Sequence, residues 1–220
     1  MSLAAPDIFD FWREVPGDAR CHPLDEKVLA RVDHQFNLEC LLGPYMGRLQ
    51  TAPVVLLFLS PGFDVDAIAH GKSPDGVRYY TRQRDGFADL PCPEEHGAAH
   101  RWILRVLKQF EVDWSDARSK VAFLNISPYK SKDFKDGPML ASLPSCRAAL
   151  DWAQSVLFPQ AERGERLVVC LRSAAYWGLG RKSAAKGSLI VPNFTRSGVI
   201  FRSERDDVVR QFHRWLQVAG

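Results

Sequence analysis

The chain has 220 residues, of which 46% are hydrophobic and 25% charged, a balance that excludes a disordered or fibrous protein and suits one sizeable core. Its formal net charge of +3 permits a polyanionic partner without demanding one. No run approaches the ~18 apolar residues of a membrane span. The first residues lack the basic start and apolar stretch of an export signal, so no membrane partner is expected. The five cysteines, Cys21, Cys40, Cys92, Cys146 and Cys170, are odd in number and unpaired in spacing, as expected of reduced thiols and a cytoplasmic protein.

In chain order, a helical segment over 4–50 carries Ile8, Phe9, Phe11 and Trp12. It precedes a core over 51–218 that belongs to the same single domain. Apolar runs follow at Val54–Leu59, Val121–Leu124, Leu167–Leu171 and Leu189–Val191, with a shorter one at Val199–Phe201. Continuous rather than alternating apolar character is the mark of strands covered on both faces. Helical periodicity is expected over Ala98–Phe110, Cys146–Phe158 and Asp206–Val218, the last begun by a capping-box-like Ser203 and Asp206. Alternating strands and helices predict a three-layer α/β/α sandwich around a central, mainly parallel four-stranded sheet. Residues 71–95, rich in Gly, Pro and aromatics, are expected to form a long functional connection or lid.

In open α/β sheets ligands bind beyond the carboxyl ends of the strands. The turns there are therefore the candidate site. Ser60-Pro61-Gly62-Phe63-Asp64 is a tight turn whose backbone amides suit an anion or a base carbonyl, or else an ordinary strand-to-helix turn. Asn125 offers the donor and acceptor that reading a base edge requires, followed by Tyr129 for stacking and by Lys130 and Lys132 for phosphates. The plainer alternative is an Asn capping its own turn beside solvated lysines. Arg172 would hold a phosphate and Ser173 would cap a helix. Asn193 and Arg196 lie in a polar loop. Cys92, His96 and His100 are spaced for one helix face, but Pro93 disturbs that geometry and exposed histidines are the commoner outcome, so no metal is expected.

Laid out in order, these segments resemble the uracil-DNA glycosylase-like superfamily. Phe58-Leu59-Ser60-Pro61-Gly62 is similar to its first motif and Phe123-Leu124-Asn125 to its second. Val168–Trp177 matches its strand-to-helix step, and Pro192–Gly198 stands in the place of its last loop. The resemblance implies that fold and base excision from damaged or deaminated DNA without a cofactor. On it, Ser60 and Asp64 would position water, Gly62 and Asn125 would meet the base, Tyr80 (or Tyr79) would stack on it, and Lys130, Lys132, Arg172, Asn193 and Arg196 would grip the nucleic acid. Two positions depart from the family pattern. Ser60 stands where the active branches carry Asp or Asn, and the last loop has no His to stabilise the departing base. A catalytically inactive module that binds a nucleic acid, nucleobase or nucleotide is therefore the alternative. A third reading, a hydrolase acting through Ser173, needs a histidine and an acid brought beside it.

Overall fold

The computed structural model describes residues 7–180, 187–195 and 199–218. Its centre is a mixed five-stranded sheet: β1 (Tyr45–Met46), β2 (Val54–Phe58), β3 (Val121–Asn125), β4 (Leu167–Cys170) and β5 (Leu189–Ile190), in the order β1-β3-β2-β4-β5. β2 to β5 run parallel. β1 pairs antiparallel with β3, Tyr45 opposite Leu124, which corrects the expected four-stranded sheet by one edge strand. With only two residues, β1 carries no periodicity that a sequence could show.

The parallel strands are apolar throughout because both faces are covered. Val55, Leu57, Ala122, Leu124, Val168 and Cys170 pack on one side against Ile8, Phe9 and Trp12 of α1 (Ile8–Arg13), against α7 (Pro144–Trp152) and against α8 (Phe158–Glu162). Val54, Leu56, Val121, Phe123, Leu167 and Val169 face the other way. They meet α5 (Pro93–Leu107), α6 (Trp114–Ala117) and α9 (Arg202–Val218) through Ile103, Leu107, Ala117, Phe212 and Leu216. Each fully buried aliphatic or aromatic side chain contributes ~1.5–3 kcal/mol. The result is a sheet with helices on both faces, compatible with a three-layer sandwich. Residues 8–49, with the short α2 (Glu26–Leu29), belong to the same core, since Ile8, Trp12, Leu29, Phe36, Leu42 and Leu49 are buried in it.

Several elements differ from the expectation. Residues 71–95 are not a long loop: α3 (Asp66–Lys72) and α4 (Pro74–Gln83) occupy most of the segment. The Ser73 side chain accepts the Gly76 amide at 3.0 Å and Pro74 opens the first turn, a standard helix start. Gly76 is required there, because a Cβ would lie 1.8 Å from the His70 carbonyl oxygen where α3 meets α4. The Cys146–Phe158 helix is α7, a π-turn over Ala153–Leu157, and α8. The Val199–Phe201 run forms only an isolated bridge from Ile200 to Phe194. α9 begins at Arg202, so Ser203 lies inside the helix rather than capping it.

Candidate functional site

The carboxyl ends of β2 and β3 lie side by side, Phe58 opposite Asn125. Pairing continues beyond them. The Ile126 amide donates to Phe58 O at 3.2 Å, the Ser127 amide to Leu59 O at 2.9 Å, and Gly62 bridges Ser131. From the other side the Gly43 amide donates to Pro128 O and the Asn37 amide to Lys130 O. The loop after β3 is thus clamped between 37–43 and 59–62, and its side chains are set by backbone hydrogen bonding rather than left to solvent.

The clamp separates neighbouring residues. Tyr129 points into the core, where it is 1% exposed. Its hydroxyl donates to Asp25 Oδ2 at 2.6 Å and accepts the His22 amide, and its ring stacks on Phe36 at 5.0 Å. Asp25 also accepts the Ser145 amide at 3.0 Å and the Ser145 hydroxyl. Tyr129 therefore ties 22–25 to the loop after β3 while Asp25 ties them to the start of α7, and the expected stacking on a base is corrected.

Lys130 goes the other way, into a cavity of about 190 Å³ lined by Gly43, Tyr45, Gly62, Phe63, Asp64, Tyr79, Tyr80, His96, Trp102, Arg105, Phe123, Asn125 and Lys130 among others. It is 7% exposed, and its Nζ lies 5.2 Å from the centre of the Tyr80 ring. Among the described residues Nζ has no carboxylate or hydrogen-bond partner. Asn125, 6% exposed, donates through Nδ2 to Gly43 O at 2.9 Å, which leaves its Oδ1 without a protein partner there.

The wall opposite comes from α4 and α5. α5 is broken at His96, whose φ of −159° and ψ of 83° swing its ring under the cavity. Its Nδ1 accepts the Ala99 amide at 3.4 Å and its Nε2 meets the Tyr80 hydroxyl at 3.2 Å. Burial, helped by the charges of His70, Lys130 and Arg101, pulls its pKa down to about 3. A neutral ring that accepts at Nδ1 carries its hydrogen on Nε2. His96 therefore donates to Tyr80 and frees the Tyr80 hydrogen for another acceptor. The His70 ring lies beside it, tilted by 34° with centroids 4.1 Å apart, and donates through Nε2 to Glu95 O.

Beside the cavity runs an open groove of about 1390 Å³ over the ends of β2 and β4. Arg105, Lys108, Lys132, Arg172, Arg202 and Arg205 line it, against the single carboxylate Asp133. Arg205 is paired with Glu111 at 2.8 Å. Gly62, Trp102 and Arg105 line both spaces and so form the passage between them. A Cβ on Gly62 would meet nothing within 4 Å, so a larger side chain there would project into that passage.

Of the residues singled out in the sequence, Gly62, Asp64, Tyr80, Asn125 and Lys130 come together at the cavity. Ser60, Lys132 and Arg172 lie in the groove. Asp64 is exposed, and its Oδ1 accepts the Asp66 amide at 2.9 Å at the start of α3. Tyr80 has one ring face taken by Lys130. The Asn193 amide and Nδ2 both donate to Glu204, so this side chain braces α9 instead of facing the groove. Arg196 lies outside the described residues.

Ser173 begins a turn, not a helix, at a left-handed φ of 63°, and no histidine lines the groove beside it. The hydrolase reading thus lacks its base. The Cys92, His96 and His100 side chains do not converge: His100 Nδ1 donates to Pro91 O at 3.0 Å, and among the described residues no group of three His, Cys, Asp or Glu could hold a metal. Nor is any described helix long and apolar enough to cross a membrane.

The sequence reading missed Gly43, Tyr45, Phe63 and Trp102. Phe63 had a usable signal, since an aromatic directly after Pro61-Gly62 must sit at the mouth of whatever that turn borders. Gly43 and Tyr45 had none, because an irregular segment reaches the site only through the two-residue β1. No family model, no curated protein and no solved structure matches this chain.

Proposed function

We propose that this protein binds nucleic acid along the basic groove and admits one extruded base through the Gly62–Trp102–Arg105 passage into the cavity, as a divergent member of the uracil-DNA glycosylase-like superfamily. One observation carries the reading: a small cavity opens directly onto a groove lined by six Arg and Lys side chains and one acid, the residues named above. At about 190 Å³ the cavity is smaller than the ~300–1,000 Å³ of common small-molecule sites, which suits one flat ring. Arg and Lys in the groove would neutralise phosphates, and extrusion costs a few kcal/mol that stacking and hydrogen bonds must offset.

In this reading Asn125 Oδ1 accepts the ring N–H of the base, while Phe63 supplies an aromatic face. Asp64, the one carboxylate lining the cavity, takes a proton from a water that attacks the sugar C1′. The C1′–N bond breaks, and its electron pair leaves with the base. Ser60, in the groove, is left to contact the backbone. A second reading, recognition without cleavage, is favoured by the exposure of Asp64 and by its bond to the α3 backbone.

Single-turnover incubation with single-stranded and duplex oligonucleotides carrying uracil, hypoxanthine, xanthine or a mismatch, followed by alkaline cleavage, decides between them. Strand breaks lost in Asp64→Asn and Asn125→Ala establish excision. No breaks, with salt-dependent binding that still requires Asn125, leaves the binding module. Absence of both overturns the assignment to nucleic acid.

A further inference from the structure

The cavity contains a buried cation that the fold does not use. Lys130 is 7% exposed, yet among the described residues its Nζ meets no carboxylate and donates to no protein acceptor. An ammonium held this far from bulk water without a counter-charge is costly; among the described residues the Tyr80 ring face 5.2 Å away is what it rests against, and the cavity is its remaining neighbour. The loop backbone nevertheless fixes the residue in place: the carbonyl of Lys130 accepts the Asn37 amide at 2.8 Å, and Ser131 is held by its bridge to Gly62.

The groups around Lys130 define what would complete it. Asn125 Oδ1 is an acceptor, the Tyr80 hydroxyl is a donor once His96 has donated to it, and the remaining wall is aromatic or apolar through Tyr45, Phe63 and Phe123. We infer that the cavity is a site for a flat heterocycle carrying negative charge, whose charged oxygen or nitrogen rests against Lys130 while a ring N–H is donated to Asn125. This rests on the reading of the cavity as a base pocket, but needs neither the groove nor any cleavage. Where excision occurs, the electron pair of the broken C1′–N bond makes the departing ring such an anion. Lys130 then does what the last loop, lacking histidine, cannot do.

The test uses free rings and the full chain at neutral pH, by titration calorimetry. Barbiturate, an anion under these conditions, is compared with uracil, which has nearly the same shape and is neutral. Barbiturate is expected to bind about tenfold or more tightly than uracil, the gain typical of a charge-assisted bond over a neutral one. Lys130→Met should reduce barbiturate to the level of uracil, and Lys130→Arg should keep part of the preference. Gly43→Leu, whose side chain would start 3.8 Å from Lys130 Nζ, should abolish binding of both and so place it in the cavity. Circular dichroism and melting of each variant separate loss of the site from loss of the fold. Equal binding of the two rings, no barbiturate binding at millimolar concentration, a preference that survives Lys130→Met, or displacement of barbiturate by equimolar inorganic phosphate would each overturn the inference. Barbiturate preference without abasic product leaves the inference standing and removes excision; abasic product without the preference does the reverse.

Discussion

Tyr129 and Lys130 are adjacent in the chain and both buried, and the two clusters they enter are opposites. Around Asp25 the carboxylate and the groups bound to it are answered: Oδ2 accepts from the Tyr129 hydroxyl, Oδ1 from the Ser145 amide, and Tyr129 also accepts the His22 amide. Around Lys130 the bonding is incomplete, with Nζ and Asn125 Oδ1 lacking protein partners among the described residues. A saturated buried network specifies structure, whereas polar atoms that open onto a cavity stay available to a ligand. The contrast is what separates scaffold from site in a chain where both are equally buried.

The largest expected effect falls on the saturated cluster. Asp25→Ala leaves the Tyr129 hydroxyl and the Ser145 amide buried without acceptors, and should cost about 3 kcal/mol in urea unfolding. A loss below roughly 0.5 kcal/mol would mean that the network is not structural.

His96 should give the next largest effect, through pH. Its ordinary pKa of 6.5 falls to about 3 in the fold, chiefly by burial. The unfolded chain therefore takes up a proton that the folded chain refuses, so stability declines as pH drops from about 6.5 toward about 3. On the order of 2 kcal/mol should be lost to this group by acidic pH. In His96→Phe the slope of unfolding free energy against pH should flatten over that window; an unchanged slope would place the buried, neutral imidazole in doubt.

Lys130→Met sharpens the comparison because its sign is reversed. Removing an unanswered cation should leave stability unchanged or raise it by about 1 kcal/mol, even as ligand binding is lost. A destabilisation comparable to that of Asp25→Ala would show that Lys130 has structural partners after all. Least affected in stability should be the triple variant of Arg105, Lys132 and Arg172 to Ala, within about 0.5 kcal/mol of the wild type. Its effect should appear instead in oligonucleotide binding, as a reduction of the log–log salt slope by about 2–3.

The sheet was legible because buried parallel strands are written as continuous apolar runs, and Val54–Phe58, Val121–Asn125 and Leu167–Cys170 need no other signal. Residues 71–95 were misread for a specific reason. In a linear reading Gly and Pro count as breakers, although Ser73-Pro74 is a helix start and Gly76, Tyr79, Tyr80 and Gln83 fall on one buried face at spacings of three and four. At the site, Asn125 was legible from its position at a strand end. The burial of Lys130 was not, since lysine after a turn is ordinarily solvated and only the clamp from residues 37–43 turns it inward. The spacing of His96 to Cys92 and His100 raises a metal that Pro93 argues against, and nothing in the sequence indicates the kink that aims the ring at Tyr80, which depends on tertiary packing.

The most direct test of the central claim, that a base leaves the stack and enters this cavity, is the fluorescence of 2-aminopurine placed beside a uracil in duplex DNA, titrated with wild-type protein and with Gly43→Leu. The account predicts a rise in fluorescence with the wild type and its loss in Gly43→Leu, with groove binding retained in both. Binding without any rise, or an equal rise in the filled-cavity variant, would contradict it.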